Sequence, residues 1–309
     1  MPSLRIFLLA LFLFVMDFTC KSMPVKDSIA NATSSIATYN MFREPSKLMI
    51  GRGFGNLDPL IFEGDLIPYF MVSLNRDVRW GVEISPRIIM RMYNQKSLPV
   101  RNPSFMPRVT FFYQLIDNTN KKRDLFGYCA LFHHSNGQDG DFYEPGDTTI
   151  NTVNGSFSTN GIEVGAFLSR INPYYPSNIN YVKFYVEYNF LQDNNLENLY
   201  GGLRLNADLQ SSLRLEKLLA KLGLSGKGRT YMLAQSIRIG WIVENFNKIQ
   251  EVEQGKLVFQ YTLSFKPSFL NNVTVFTQFY HGQDYYNINF GRTLNVLRFG
   301  ISSKMNVFN

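Results

Sequence analysis

A histidine and a serine two residues apart mark the end of an apolar, strand-like run. The segment Leu131-Phe-His-His-Ser-Asn-Gly137 places His133 and Ser135 at positions i and i+2. Alternate side chains of a β-strand point to the same face, so the imidazole and the hydroxyl would stand side by side. A serine becomes a useful nucleophile when a neighbouring base takes its proton. The turn at Asn136-Gly137 could offer backbone N–H groups to an oxyanion. The segment therefore indicates nucleophilic catalysis by serine.

The N-terminus carries the features of an export signal. Ile6 to Met16 form an unbroken apolar run after a short basic start. A run of that length suits the core of a signal peptide and is too short to span a bilayer as a helix. We expect a signal peptide over residues 1–22, cleaved between Thr19 and Met23, with lipid modification of Cys20 as the alternative. The chain is therefore expected to be exported.

Composition favours one β-rich unit after the signal. The chain has 27 Phe and 17 Tyr, and 18% of its residues are charged. Segments of about ten residues, in which apolar and polar side chains alternate, are separated by turn residues; this is typical of a transmembrane β-barrel. No later run approaches the length of a membrane-spanning helix. A soluble β-sandwich or β-propeller is the competing interpretation.

The alternation is clearest in the second half of the chain. Residues 181–190 carry Val182, Phe184 and Val186 on one face and polar residues on the other. Comparable strands are predicted at 202–210, 256–266, 272–281 and 293–303, whereas 211–223 fits a strand or a short helix. Residues 23–65 are polar and contain several glycines, which predicts a periplasmic extension or plug before a barrel over residues 66–309.

The net charge and the other two histidines suggest no further chemistry. The formal net charge of +7 is spread along the chain, which suits contact with anionic lipid head groups and lacks the clustered basic stripe of a nucleic-acid-binding protein. His134 has the opposite strand parity to His133 and is expected to face the barrel interior. His281 is expected at the membrane interface.

Three motifs resemble those of outer-membrane phospholipase A, a family of Gram-negative barrel esterases. The segment His133-x-Ser135-Asn136-Gly137 is similar to the family's His-x-Ser-Asn-Gly motif. Upstream, Ser97-Leu-Pro-Val-Arg101 resembles its Ser-x-Pro-x-Arg segment, and residues 276–282 resemble its strand Tyr-Thr-Gln-x-Tyr-x-Gly. The motifs occur in the family's order, and the resemblance extends from Ile67 to the C-terminus.

This resemblance implies an all-β fold, namely a transmembrane antiparallel β-barrel of twelve strands and of the outer-membrane type. It implies a calcium-dependent enzyme that hydrolyses the sn-1 and sn-2 acyl esters of phospholipids and also lysophospholipids. Such an enzyme would act as a homodimer in the outer membrane of a Gram-negative bacterium. The alternative is a non-catalytic barrel, either a porin or a structural protein. A pore does not need a histidine and a serine on its lipid-facing surface. Side chains of His133 and Ser135 that point outward would therefore favour the enzyme over the pore.

The family's third catalytic residue is an asparagine on the following strand that orients the histidine. Asn160 is the candidate, because it begins an alternation whose apolar face would meet lipid. It lies 27 residues after His133, which is longer than the family's loop, so an insertion such as 142–152 is expected. Asn151 and Asn154 are rivals for the role, but neither begins a lipid-facing strand.

The resemblance also implies a calcium ion that assists the oxyanion together with the backbone N–H of Gly137. The implied ligands are the carbonyl of Gln138, the hydroxyl of Ser156 and, from the upstream loop or a partner subunit, Ser97. Oxygen ligands suit this hard cation. Two carboxylates that follow the motif are further candidate ligands, Asp139 and Asp141.

Overall fold

The structure is a computed structural model, and it describes residues 42–72, 79–97, 99–118, 123–146, 148–171, 179–190, 194–214, 232–243, 255–266, 270 and 273–303. The expected signal peptide lies outside these ranges, as do residues 23–41 and the second part of the segment 211–223. Within the described ranges, no helix is long and apolar enough to cross a bilayer.

Antiparallel strands form the whole of the described wall. They are β1 (Ser46–Gly55), β2 (Leu60–Leu66), β3 (Phe70–Val72), β4 (Trp80–Tyr93), β5 (Ser104–Asn118), β6 (Arg123–Ser135), β7 (Ser158–Ile171), β8 (Ile179–Phe190), β9 (Leu203–Arg214), β10 (Met232–Ile242), β11 (Leu257–Lys266), β12 (Thr274–Gln283) and β13 (Thr293–Ser303). Short 3₁₀ turns at Asn194–Leu196 and Asn287–Gly291 lie in two of the connections.

The sheet closes on itself. From β4 to β13 each strand pairs with the next along the chain, and β13 also pairs with β1. β1 pairs with β2, and β2 pairs with β4. β3 pairs with an earlier part of β4 than β2 does, so β2 and β3 together occupy one position in the ring. Twelve positions therefore form a closed ring, which confirms the predicted twelve-stranded antiparallel barrel.

The wall is apolar outside and polar inside. On β8, Phe184 and Val186 are exposed, whereas Tyr185 between them is buried. On β13, Phe299 is exposed and its neighbour Arg298 is fully buried. This alternation suits a membrane-spanning barrel, because the exterior meets hydrocarbon and a closed sheet leaves no unpaired edge.

Charged side chains pair with one another inside the barrel. Arg91 contacts Glu63 at 2.6 Å and Asp284 at 2.8 Å, and Arg298 contacts Glu63 at 2.9 Å. All four side chains are fully buried. Buried charges persist only when they are paired and hydrogen-bonded, so these contacts hold β2, β4 and β13 around the lumen.

The barrel begins earlier than the sequence predicts. β1 and most of β2 fall within residues 23–65, so the predicted boundary at residue 66 is wrong and the wall begins at Ser46. The reason is that the inward side chains of β2 include Glu63 and Asp65, which make the segment look like a polar extension. The residues just before β1 do enter the lumen, where the ring of Phe42 packs 3.8 Å from that of Phe167.

Three connections pack together at the end of the barrel where β6, β8 and β12 finish, called the loop end below. These are the connections after β6, after β8 and after β12. Their apolar side chains form a small buried core of Phe142, Phe157, Leu196, Leu199, Tyr200, Ile288 and Phe290. This core fixes the loops that surround the candidate site.

Candidate active site

The register between β6 and β7 brings the predicted catalytic residues together. His133 stands opposite Asn160, and Ser135 stands opposite Ser158. All four residues share the strand parity of Leu131 and Val164, which are 55% and 53% exposed on the outer wall. His134 has the opposite parity and is 2% exposed, inside the barrel. The predicted residues therefore lie on the outside of the barrel at its loop end.

A hydrogen bond fixes the imidazole of His133. Its Nδ1 lies 3.0 Å from Oδ1 of Asn160. Because an amide oxygen can only accept a hydrogen bond, Nδ1 must carry the proton. In the neutral ring the lone pair is then on Nε2, which is the atom that a general base uses. Asn160 thus selects the tautomer that catalysis by Ser135 would require.

The hydroxyl of Ser135 shares a strand face with this imidazole but is not hydrogen-bonded to it. Ser135 is half-buried, two residues after His133 on the same face. No hydrogen bond between the two side chains is present in the part of the chain that the structure describes. Rotation about one side-chain bond would redirect the hydroxyl, and catalytic hydrogen bonds often form only when substrate binds.

The pairing pattern between β6 and β7 brings facing side chains of the site close together. Asn136 and Phe157 face each other and form a hydrogen-bonded pair, because the backbone N–H of Asn136 donates to the carbonyl of Phe157 at 3.1 Å. In an antiparallel ladder the adjacent pair, Ser135 with Ser158, is then of the non-hydrogen-bonded type, in which side chains are closest. Sequence reasoning missed Ser158, although its parity with Asn160 placed it on the same face.

Asn136 holds the turn that follows Ser135. Its Oδ1 accepts from the backbone N–H groups of Gln138 at 3.2 Å and Phe157 at 3.1 Å, and its Nδ2 donates to the carbonyl of Gly155 at 2.7 Å. Between these anchors Gly137 adopts a φ of +66°, which favours glycine. The sequence does not predict these contacts of the Asn136 side chain, because Gly155 and Phe157 become its neighbours only when the long loop folds back.

The loop after β6 contains most of the predicted calcium ligands. Gln138, Asp139, Asp141 and Ser156 all belong to it, and the N–H of Ser156 donates to the carbonyl of Gly140 at 2.9 Å. Ser97 lies in another loop, between β4 and β5. Among the described residues, no group of three or more acidic, histidine or cysteine side chains is arranged so that it could hold a metal ion. The donors available are carbonyl, hydroxyl and carboxylate oxygens, which fit a hard cation.

The two rival asparagines are occupied within that loop. Nδ2 of Asn151 donates to Oδ1 of Asn154 at 2.7 Å and to the carbonyl of Asp141 at 3.1 Å. These hydrogen bonds stay inside the loop and do not include His133. Of the three asparagines considered, Asn160 is the one that contacts the imidazole.

The remaining histidines have other surroundings. Nδ1 of His134 lies 3.5 Å from the hydroxyl of Tyr200, whose pKa is raised by burial in the loop core. His281 is on the outer wall, and its Nδ1 lies 2.5 Å from Oδ1 of Asn295. That pair resembles the one at His133, but the residue two positions later is Gln283 rather than serine.

Comparison with known proteins identifies the fold. No family model and no curated protein sequence matches this chain. The solved structure of outer membrane phospholipase A from Escherichia coli is 14% identical, with a TM-score of 0.57 over 90% of this chain and 100% of that one. A calcium-bound dimer of the Salmonella typhi outer membrane phospholipase is 13% identical, with a TM-score of 0.54 over 92% and 100%.

An active-site variant of the E. coli protein, with asparagine replaced by alanine, gives 13% identity and a TM-score of 0.56 over 90% and 100% of the two chains. Identities this low establish the fold alone. The resemblance that the sequence motifs indicate is thus confirmed at the level of structure: this chain has the fold of outer membrane phospholipase A.

Proposed function

We propose that this protein is a phospholipase of the Gram-negative outer membrane that hydrolyses acyl esters with Ser135, His133 and Asn160. The observation that carries the proposal is the 3.0 Å contact between Nδ1 of His133 and Oδ1 of Asn160, on the same outward face as Ser135. A base held in one tautomer beside a serine is the arrangement that nucleophilic catalysis needs.

The position of the site favours a lipid substrate. Below it, toward the opposite end of the barrel, the outer wall carries exposed apolar residues on four adjacent strands, among them Val109, Leu131, Val164 and Val186. The polar group at His133 sits where this apolar surface meets the loop end. An ester at the boundary between hydrocarbon and head groups would therefore reach the serine while its acyl chain stays in the apolar layer.

The steps follow from these residues. Nε2 of His133 takes the proton of Ser135 as the serine oxygen attacks the ester carbonyl. Asn160 keeps the imidazole oriented, and the N–H of Gly137 donates to the developing oxyanion. His133 then returns the proton to the leaving alcohol, and water, activated by the same imidazole, releases the acyl group from Ser135.

Calcium dependence is part of the proposal. Gln138, Ser156 and Ser97 would supply its oxygen ligands, with Asp139 and Asp141 as further donors. When bound, the ion supplies positive charge next to the oxyanion. The Salmonella typhi structure is a dimer with bound calcium, which supports both calcium and a homodimer for this chain. We extend the substrates to sn-1 and sn-2 esters and to lysophospholipids, and we place the protein in the outer membrane after export by a signal peptide.

Two features weigh against the porin alternative. Charged residues such as Arg91 and Arg298 are fully buried in ion pairs inside the barrel. The buried loop core, which includes Phe142, Phe157 and Phe290, packs at the loop end of the barrel. Neither feature suits an open aqueous channel.

The test is replacement of the nucleophile. We expect Ser135→Ala to abolish release of fatty acid from phospholipid vesicles while the barrel still folds, as judged by heat-modifiable migration in gel electrophoresis. The matched control is Ser211→Ala, because Ser211 lies on β9, toward the end of the barrel opposite the site. That variant should keep wild-type activity. Fatty-acid release by Ser135→Ala at the wild-type rate would refute the assignment.

A further inference from the structure

An irregular stretch of β1 carries an exposed arginine on the same strand face as the outward residues Ile50 and Phe54. Ile50 pairs with Phe299 and Phe54 pairs with Leu297, so three residues of β1 stand opposite the single residue Arg298. These three residues are Gly51, Arg52 and Gly53. Bulges of this kind re-aim a side chain, and in β-proteins they occur near sheet edges and functional sites.

The two glycines are required by the geometry. Gly51 has a φ of +60° and Gly53 a φ of +72°, both in the left-handed region. A Cβ at Gly53 would lie 2.2 Å from the carbonyl oxygen of Leu297, so no other residue fits there. Nη2 of Arg298 donates to the carbonyl of Gly51 at 3.3 Å and so holds the bulge from inside. The bulge is therefore a built feature with Arg52 at its tip.

The surroundings of Arg52 are apolar and face lipid. Ile50 and Phe54 on either side are 65% and 72% exposed, and the rings of Phe54 and Phe299 contact each other edge to face. Arg52 is itself exposed, and it makes no ion pair in the described part of the chain. A charge on the lipid-facing side of a barrel is unfavourable unless it reaches the interface and finds a partner.

We propose that the bulge Gly51-Arg52-Gly53 is a binding site for the phosphate group of a membrane lipid. The planar guanidinium matches phosphate oxygens with two parallel hydrogen bonds, and its aliphatic stem can lie along the apolar wall while the head reaches the interface. A Cβ at Gly51 would lie 3.9 Å from the carbonyl oxygen of Leu60, the first residue of β2, and Leu60 pairs with Tyr93, the last residue of β4. On the β2 side, the bulge is therefore next to the ends of these strands. The proposal rests on the barrel and does not depend on the proposed enzyme activity.

Binding of non-hydrolysable lipids by the full chain tests the proposal. Native mass spectrometry from detergent would compare the wild type, Arg52→Gln and Arg52→Lys with a dialkyl ether phosphatidylglycerol and with the corresponding dialkylglycerol, which lacks phosphate. Lipid A in a further arm distinguishes a glycolipid phosphate from a phospholipid phosphate. The control is Arg123→Gln, since Arg123 is exposed at the start of β6, far from the loop end.

We expect Arg52→Gln to weaken retention of phosphatidylglycerol, lipid A or both by about fivefold to tenfold. Arg52→Lys should be intermediate, Arg123→Gln should match the wild type, and dialkylglycerol should bind all variants equally. The proposal fails if Arg52→Gln retains both phosphate lipids like the wild type, or if Arg123→Gln loses as much. It also fails if Arg52→Gln alters only the oligomeric state in lipid-free detergent, because the arginine would then pair with another protein copy.

Discussion

At the scale of single residues, the proposed chemistry depends on which nitrogen of His133 carries the proton. Asn160 decides this, because its amide oxygen accepts from Nδ1 and leaves Nε2 free as the base. The strand parity of the sequence predicts that His133, Ser135 and Asn160 face the same way. It cannot predict Ser158 as the neighbour of Ser135, because parity does not say which residue of the next strand stands opposite.

Removing the orienting amide should therefore slow the reaction without preventing binding. We expect Asn160→Ala to lower kcat by about 10²-fold with little change in KM, since the imidazole loses the contact that fixes its tautomer. Asn160→Asp keeps an oxygen acceptor at the same place and should retain more activity than the alanine variant. Steady-state kinetics on dispersed phospholipid measure both. An unchanged kcat in Asn160→Ala would exclude Asn160 from the site.

At the scale of elements, the site depends on how β6 and β7 are joined. The connecting loop is long, and its apolar residues Phe142 and Phe157 pack into the loop core. The sequence predicts an insertion here but not its effect, because the contacts of the loop come from distant segments around Leu196 and Phe290. Asn136 ties the start of this loop to its end through Gly155 and Phe157.

Loss of that tie should affect both stability and catalysis. We expect Asn136→Ala to lower the free energy of unfolding by about 1–3 kcal/mol, because the buried N–H of Phe157 and the partly buried N–H of Gln138 lose their acceptor. It should also lower kcat, since the N–H of Gly137 is no longer held in place. Urea unfolding and kinetics measure the two effects. Asn136→Asp keeps the acceptor oxygen and should be milder; equal stability of the alanine variant and the wild type would contradict the role.

At the scale of the whole molecule, alternation along the sequence predicts the barrel wall but not its closure. Five segments read from the pattern correspond to β8, β9, β11, β12 and β13. The sequence does not predict β1 and β2, and the reason is physical. Their inward positions carry Glu63 and Asp65, and the partners that make those carboxylates tolerable, such as Arg91 and Arg298, are far away in the chain.

These lumen contacts should matter for the stability of the whole barrel. We expect Arg91→Met to lower the free energy of unfolding by about 3 kcal/mol, because Glu63 and Asp284 each lose a buried partner. Tryptophan fluorescence during urea unfolding in lipid vesicles measures the change. Arg123→Met is the control, because Arg123 is exposed, and it should stay within about 0.5 kcal/mol of the wild type. An Arg91→Met midpoint equal to that of the control would mean that the ion pairs are not needed.

The most direct test of the central claim is labelling with a serine-directed fluorophosphonate in the presence of calcium, followed by mass analysis of the peptides. A reactive serine on the outer wall predicts one adduct, on Ser135, that is lost in His133→Ala and retained in His281→Ala. An adduct at a different residue, or an adduct on Ser135 that forms equally well without His133, would contradict the account.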